Sequence, residues 1–121
     1  MSKKILVIED TEDNRQILRD LLGMAGYEMI EAHDGAEGVA MAERHLPDLI
    51  LMDIQMPVMD GYEATRRIKA VPELKSVPVI AVTSYALSGD EARTREAGCD
   101  AYIAKPYSPR QLLAKVREII G

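Results

Sequence analysis

Short apolar runs and longer stretches of helical period alternate along the whole chain. The runs "ILVI" at 5–8, "MIEA" at 29–32, "LILM" at 49–52, "VIAV" at 79–82 and "AYIA" at 101–104 read as five strands, and the stretches after each as five helices. That rhythm is the signature of βαβ units around a parallel sheet. Three of the runs are continuously apolar, as strands covered by helices on both faces must be, whereas "MIEA" alternates and suits an edge. The first helix is expected to carry Ile17, Leu18, Leu21 and Leu22 on one face, and the last to carry Leu112, Leu113, Val116, Ile119 and Ile120. Gly26, Gly61 and Gly98 punctuate helix boundaries, while Pro72 and Pro78 bracket a loop ahead of the fourth strand. The predicted class is α/β, a doubly wound parallel sheet.

The polar residues that end these runs change the picture. Glu9 and Asp10 follow "ILVI", Asp53 follows "LILM", Thr83 follows "VIAV" and Lys105 follows "AYIA". Parallel strands bring their carboxyl ends to one edge of the sheet, where doubly wound folds bind ligands at the reversal of strand order. Three carboxylates, a hydroxyl and an ammonium should therefore converge. Like charges in one cleft repel unless they are neutralised, and all-oxygen ligation suits a hard divalent cation such as Mg²⁺. The same groups suit phosphoryl transfer, with Asp53 as nucleophile, Lys105 and Thr83 on phosphoryl oxygens, and the metal held together with Asp10. Lys105 precedes Pro106, and a cis bond there would make a tight turn.

Composition narrows the class. At 121 residues the chain fits one domain with a sizeable core, and no second catalytic domain or output domain is expected. No apolar run approaches the roughly 20 residues of a membrane helix, and "MSKK" leads into a run too short for a signal peptide. A soluble, cytoplasmic protein is expected. A net charge of −5, with no basic cluster beyond Arg66 and Arg67, argues against nucleic acid. The single cysteine, Cys99, cannot form an internal disulfide and reads as a packed side chain. His33 and His45 read as surface residues, Met52 as core, and Met56 and Met59 as either packed or partner-facing.

With these residues in view, the chain resembles the receiver domain of bacterial two-component response regulators. "IED", "LILMDIQMPVMDG", "VTSYA" and "AYIAKP" carry the likeness, which runs from about Lys4 to Ile120. Within the family it is similar to stand-alone receivers of the chemotaxis (CheY-like) and DivK cell-division types, and its central motif also occurs in receivers fused to hybrid histidine kinases, so the subfamily stays open. The resemblance implies a flavodoxin-like (βα)5 fold with strand order 2-1-3-4-5. It implies that Asp53 accepts a phosphoryl group from a histidine kinase or histidine phosphotransfer protein. Asp10, Asp53 and the backbone carbonyl of Gln55 would bind Mg²⁺ or Mn²⁺, with Glu9 helping through water. Thr83 and Lys105 would contact the phosphoryl group, and Tyr102 would reorient to present a surface to a downstream protein target. Such a protein would be a phosphoacceptor switch that catalyses its own phosphorylation and slow dephosphorylation, and a monomer is expected. Gln55 and Tyr85 would modulate phosphate lifetime, although many relatives carry a small residue where Tyr85 stands.

Two rival classes fit less well. A hydrolase of the haloacid dehalogenase type needs an aspartate two residues after its nucleophile as general acid, and here that position is Gln55. A flavodoxin-like cofactor carrier needs a phosphate-binding loop after the first strand, where "EDTEDN" would repel phosphate.

Overall fold

A computed structural model describes residues 2–54, 59–83 and 90–121. In it the elements run β1 (Lys4–Ile8), α1 (Glu12–Met24), β2 (Glu28–Ala32), α2 (Gly35–His45), β3 (Leu49–Asp53), α3 (Gly61–Lys69), β4 (Val79–Thr83), α4 (Asp90–Ala97), β5 (Ala101–Ala104) and α5 (Pro109–Ile120). A 3-10 turn at Pro72–Leu74 lies in the loop that Pro72 and Pro78 bracket. The five strands pair in parallel in the order β2-β1-β3-β4-β5, the doubly wound arrangement expected. β2 is an edge strand, in keeping with its alternation.

Side chains on a strand alternate between the faces of the sheet, so each apolar run feeds two cores. Leu6, Ile8, Ile50, Met52 and Ala81 point to the side where Ala42 of α2, Ala64 and Ile68 of α3, and Ala97 of α4 pack. Ile5, Val7, Leu49, Leu51 and Ile80 point to the other, against Leu18 and Leu22 of α1 and Leu112 and Val116 of α5. Met52 is core as expected, and Met59 packs against the first cluster. Cys99 is a buried free thiol that donates to Thr65 Oγ1 at 3.7 Å, and burial pushes its pKa up.

The expected face of α1 is corrected at one position. Leu18 and Leu22 are buried one turn apart, but Ile17 is 58% exposed. A step of one residue turns a helix by about 100°, which carries Ile17 off the sheet-facing line set by Leu18 and Leu22. Two strand ends also differ, since Asp53 and Thr83 are the last residues of β3 and β4 rather than the first of the loops.

The helix starts are set by short polar side chains. The Asp34 and Asp60 carboxylates accept from the backbone N–H of Glu37 and Glu63, and Ser108 forms a capping box with Gln111. Gly61, the first residue of α3, answers a different need. A Cβ there would sit 2.6 Å from the Asp53 carbonyl oxygen and 2.7 Å from Ile54 Cα. The start of α3 is therefore pressed directly on the backbone that carries Asp53.

Gly23, within α1, has nothing within 4 Å of where a Cβ would stand. Gly23→Ala should raise stability by about 0.5–1 kcal/mol through helix propensity alone. Gly61→Ala should lower it by about 1–3 kcal/mol, because two of the three nearest atoms, the Asp53 carbonyl oxygen and Ile54 Cα, are backbone and cannot swing aside. Urea unfolding midpoints of the two variants check this, and equal midpoints would contradict the packing described.

Candidate functional site

Each functional group stands where a strand stops. β1 delivers Glu9 and Asp10, β3 ends on Asp53, β4 ends on Thr83, and Lys105 follows β5. The parallel register aligns these ends: Asp53 pairs with Val82 and Thr83 pairs with Ala104. The Lys105 N–H donates to the Thr83 carbonyl at 2.8 Å, which continues the β4–β5 ladder one step past the sheet. The Lys105–Pro106 peptide is cis, as expected.

The carboxylates converge as the strand ends predict. Glu9, Asp10 and Asp53 each offer an oxygen, and these atoms lie within 4.8 Å of one another. Glu9 is 5% exposed and Asp53 4%, whereas Asp10 is exposed. Burying charge is unfavourable unless it is compensated, and Lys105 compensates it: its ammonium lies 3.4 Å from Asp53 Oδ1 and 4.0 Å from Glu9 Oε2. With its side chain 27% exposed, Lys105 reaches in from the rim of the cleft.

Three oxygen ligands of one charge sign, one of them open to solvent, fit a hard divalent cation. The donor set contains no sulfur or imidazole that would favour a softer metal. Thr83 is fully buried and shares a sheet face with Ala81, two residues earlier on β4. Ala81 pairs with Tyr102, and Tyr102 packs against the same cluster as Ala81. Thr83 and Tyr102 therefore belong to one side of the sheet, the side of α3 and α4. Gln55, Tyr85 and Met56 lie outside the described residues. His33 is on the surface, with its Nδ1 2.6 Å from Glu37 Oε1, and half-buried His45 ends α2.

Sequence reasoning missed Tyr107, treating only Tyr102 and Tyr85 as more than packing. The ring lines a small cavity with Glu9 and Asp53, and it borders an open groove of about 580 Å³ shared with Asn14, Ile17, Lys105 and Pro106. Burial raises the pKa of its phenol, and the charges of Glu9 and Asp53 raise it further. A tyrosine two residues after the lysine was the only available signal.

The chain belongs to the response regulator receiver domain family, whose pattern it matches over residues 5–117. It is a receiver of two-component signal transduction. It is 45% identical over 121 residues to the polar-differentiation response regulator DivK of Brucella ovis, covering 100% of this chain and 98% of that protein, and equally similar to that of Brucella abortus. Among solved structures, the receiver domain of a sensor histidine kinase from Pseudomonas aeruginosa, with a magnesium ion coordinated in its active site cleft, aligns with a TM-score of 0.93 at 39% identity over 100% of this chain and 99% of that one. The chemotaxis protein CheY4 of Vibrio cholerae aligns with a TM-score of 0.94 at 28% identity over 98% and 99% of the two chains. Receiver domains are phosphoacceptor switches that bind Mg²⁺.

The raised phenol pKa gives a direct probe of the cleft. Because the fold favours the neutral phenol, the stability it contributes is complete below the ordinary tyrosine value of 10.0 and is lost as pH rises through the higher folded value. An absorbance titration should show a tyrosinate step later than that ordinary value, which Tyr107→Phe removes. Mg²⁺ should shift this step to lower pH by neutralising Glu9 and Asp53. A late step that persists in Tyr107→Phe would contradict the assignment.

Proposed function

We propose that Asp53 is the phosphoacceptor of this receiver and that its reaction depends on Mg²⁺ or Mn²⁺. The observation that carries this reading is the pairing of Asp53, almost fully buried beside Glu9 and Asp10, with the Lys105 ammonium 3.4 Å away. An Asp53 carboxylate oxygen attacks the phosphorus of a phosphohistidine, the P–N bond breaks, and its electron pair leaves with the imidazole, forming an acyl phosphate. Asp10, Asp53 and the Gln55 carbonyl would hold the cation, with Glu9 helping through water. When bound, the cation neutralises charge on the phosphoryl oxygens. Lys105 moves from its ion pair with Asp53 to a phosphoryl oxygen, and the Thr83 hydroxyl donates to another.

The donor is a histidine kinase or a histidine phosphotransfer protein, and the site promotes its own phosphorylation and slow hydrolysis rather than turning over an external substrate. Gln55 and Tyr85 set the lifetime of the acyl phosphate. Readout goes through Thr83 and Tyr102 to a downstream protein target. The shared sheet face of these residues supports it, as does the groove that Tyr102 lines with Ile103, Gln111 and Lys115. A preference of about 3 kcal/mol for the active state suffices to shift such an equilibrium more than a hundredfold. No helix among the described residues is long and apolar enough to cross a membrane.

Acetyl phosphate tests the reading. Incubation with Mg²⁺ should add one phosphoryl group by intact mass, and both Asp53→Asn and EDTA should abolish it. Tyr102→Ala should label at the wild-type rate while losing the phosphorylation-dependent gain in affinity for the target. Labelling that survives Asp53→Asn would overturn the assignment of Asp53.

A further inference from the structure

The buried carboxylate of Glu9 is held asymmetrically. Its Oε1 accepts from the Thr11 backbone N–H at 3.3 Å and from Asn14 Nδ2 at 3.1 Å, while its Oε2 is the oxygen nearer Lys105. Thr11 is the N-cap of α1, yet its side chain makes no capping bond. The first turn of α1 is thus tied to the end of β1 through Glu9 itself. The backbone of Glu9 is held as well, because Arg15 Nη1 donates to its carbonyl oxygen at 2.6 Å. Arg15 is fixed in turn by Glu12 at 2.7 Å and Glu31 at 3.5 Å, and its side chain is 14% exposed. Two adjacent residues of α1 therefore grip one residue of the acid cluster, one by its side chain and the other by its main chain.

We propose that Asn14 and Arg15 are positioning residues for the divalent-cation site, an inference that rests on the reading of that site given above. Asn14 engages Oε1 and so fixes which Glu9 oxygen is turned toward Lys105 and the cleft. Arg15 fixes the carbonyl of the peptide unit that leads directly into Asp10. A carboxylate held by outer donors presents a ready-made ligand set, whereas one free to rotate must be ordered when the ion arrives. Loss of such outer-shell partners lowers metal affinity by about 10–100-fold in metal sites generally. A ligand that acts through water belongs at the lower end of that range.

The test counts free Mn²⁺ by electron paramagnetic resonance during titration of the wild type, Asn14→Ala and Arg15→Gln, with thermal melts confirming that each variant folds. Both variants should bind Mn²⁺ about tenfold more weakly. In acetyl phosphate labelling, the Mg²⁺ concentration giving half the maximal rate should rise by a similar factor. The rate at saturating Mg²⁺ should stay within about twofold of the wild type, the pattern of lost ion binding rather than lost transition-state contacts. Should Asn14→Ala fail to fold, Asn14→Leu keeps the approximate size of the side chain while removing the donor without adding charge, and it should bind Mn²⁺ as weakly as Asn14→Ala. Unchanged Mn²⁺ affinity in folded variants, beside a wild type that binds and labels, would overturn the positioning role and leave the proposed function standing. A wild type that binds no Mn²⁺ would overturn both.

Discussion

Two nearly fully buried carboxylates and a third at the rim share one edge of a parallel sheet, and a single lysine at the rim faces the buried pair. Like charges within 4.8 Å of one another, as these oxygens are, repel by at least about 3–4 kcal/mol at an effective dielectric constant of about 20. Against a typical domain stability of about 5–15 kcal/mol, that is a large fraction to leave uncompensated. Solvent screens the exposed Asp10, so most of the strain falls on Glu9 and Asp53. Lys105, within 3.4 Å of one and 4.0 Å of the other, offsets part of it and leaves the cluster negative. That residual charge favours a divalent cation and prepares the site for a phosphoryl group whose oxygens need the lysine in their turn.

The surrounding structure holds this arrangement from several directions. α3 is seated on the Asp53 backbone, and only a glycine at its first position permits the contact. The first turn of α1 holds Glu9 through Asn14 and Arg15. The β4–β5 ladder extends to the Lys105 N–H, so the lysine is registered against Thr83. The helices are thus more than covers for the sheet, because two of them bear on the residues that carry the charge.

Most of the fold and the central residues were legible because they follow from coarse rules. Apolar runs at regular spacing gave all five strands, and the shared direction of parallel strands gave the convergence of Glu9, Asp10, Asp53, Thr83 and Lys105. What was not legible depends on angles and rotamers. Ile17 was placed on the buried face of α1, yet a turn of one residue puts it in the groove beside Tyr107. Tyr107 had only its place two residues after Lys105 to mark it and Asn14 had no mark at all, since the reach of a ring or an amide toward a neighbouring strand end is decided by side-chain direction. Arg15 could be read as an i,i+3 partner of Glu12, but its bond to the Glu9 carbonyl depends on the bend between β1 and α1.

Cations hold this edge of the sheet together. Thermal unfolding of the wild type and Lys105→Met, each with and without Mg²⁺, tests it most directly. Without metal, Lys105→Met should melt at lower temperature. Mg²⁺ should stabilise both proteins, by about 2–3 kcal/mol at a hundredfold excess over its Kd. At a fixed Mg²⁺ concentration the gain should be larger in Lys105→Met, because the ion then enters a more negative site. A gain that is equal in the two proteins, or a variant as stable as the wild type without metal, would contradict the account.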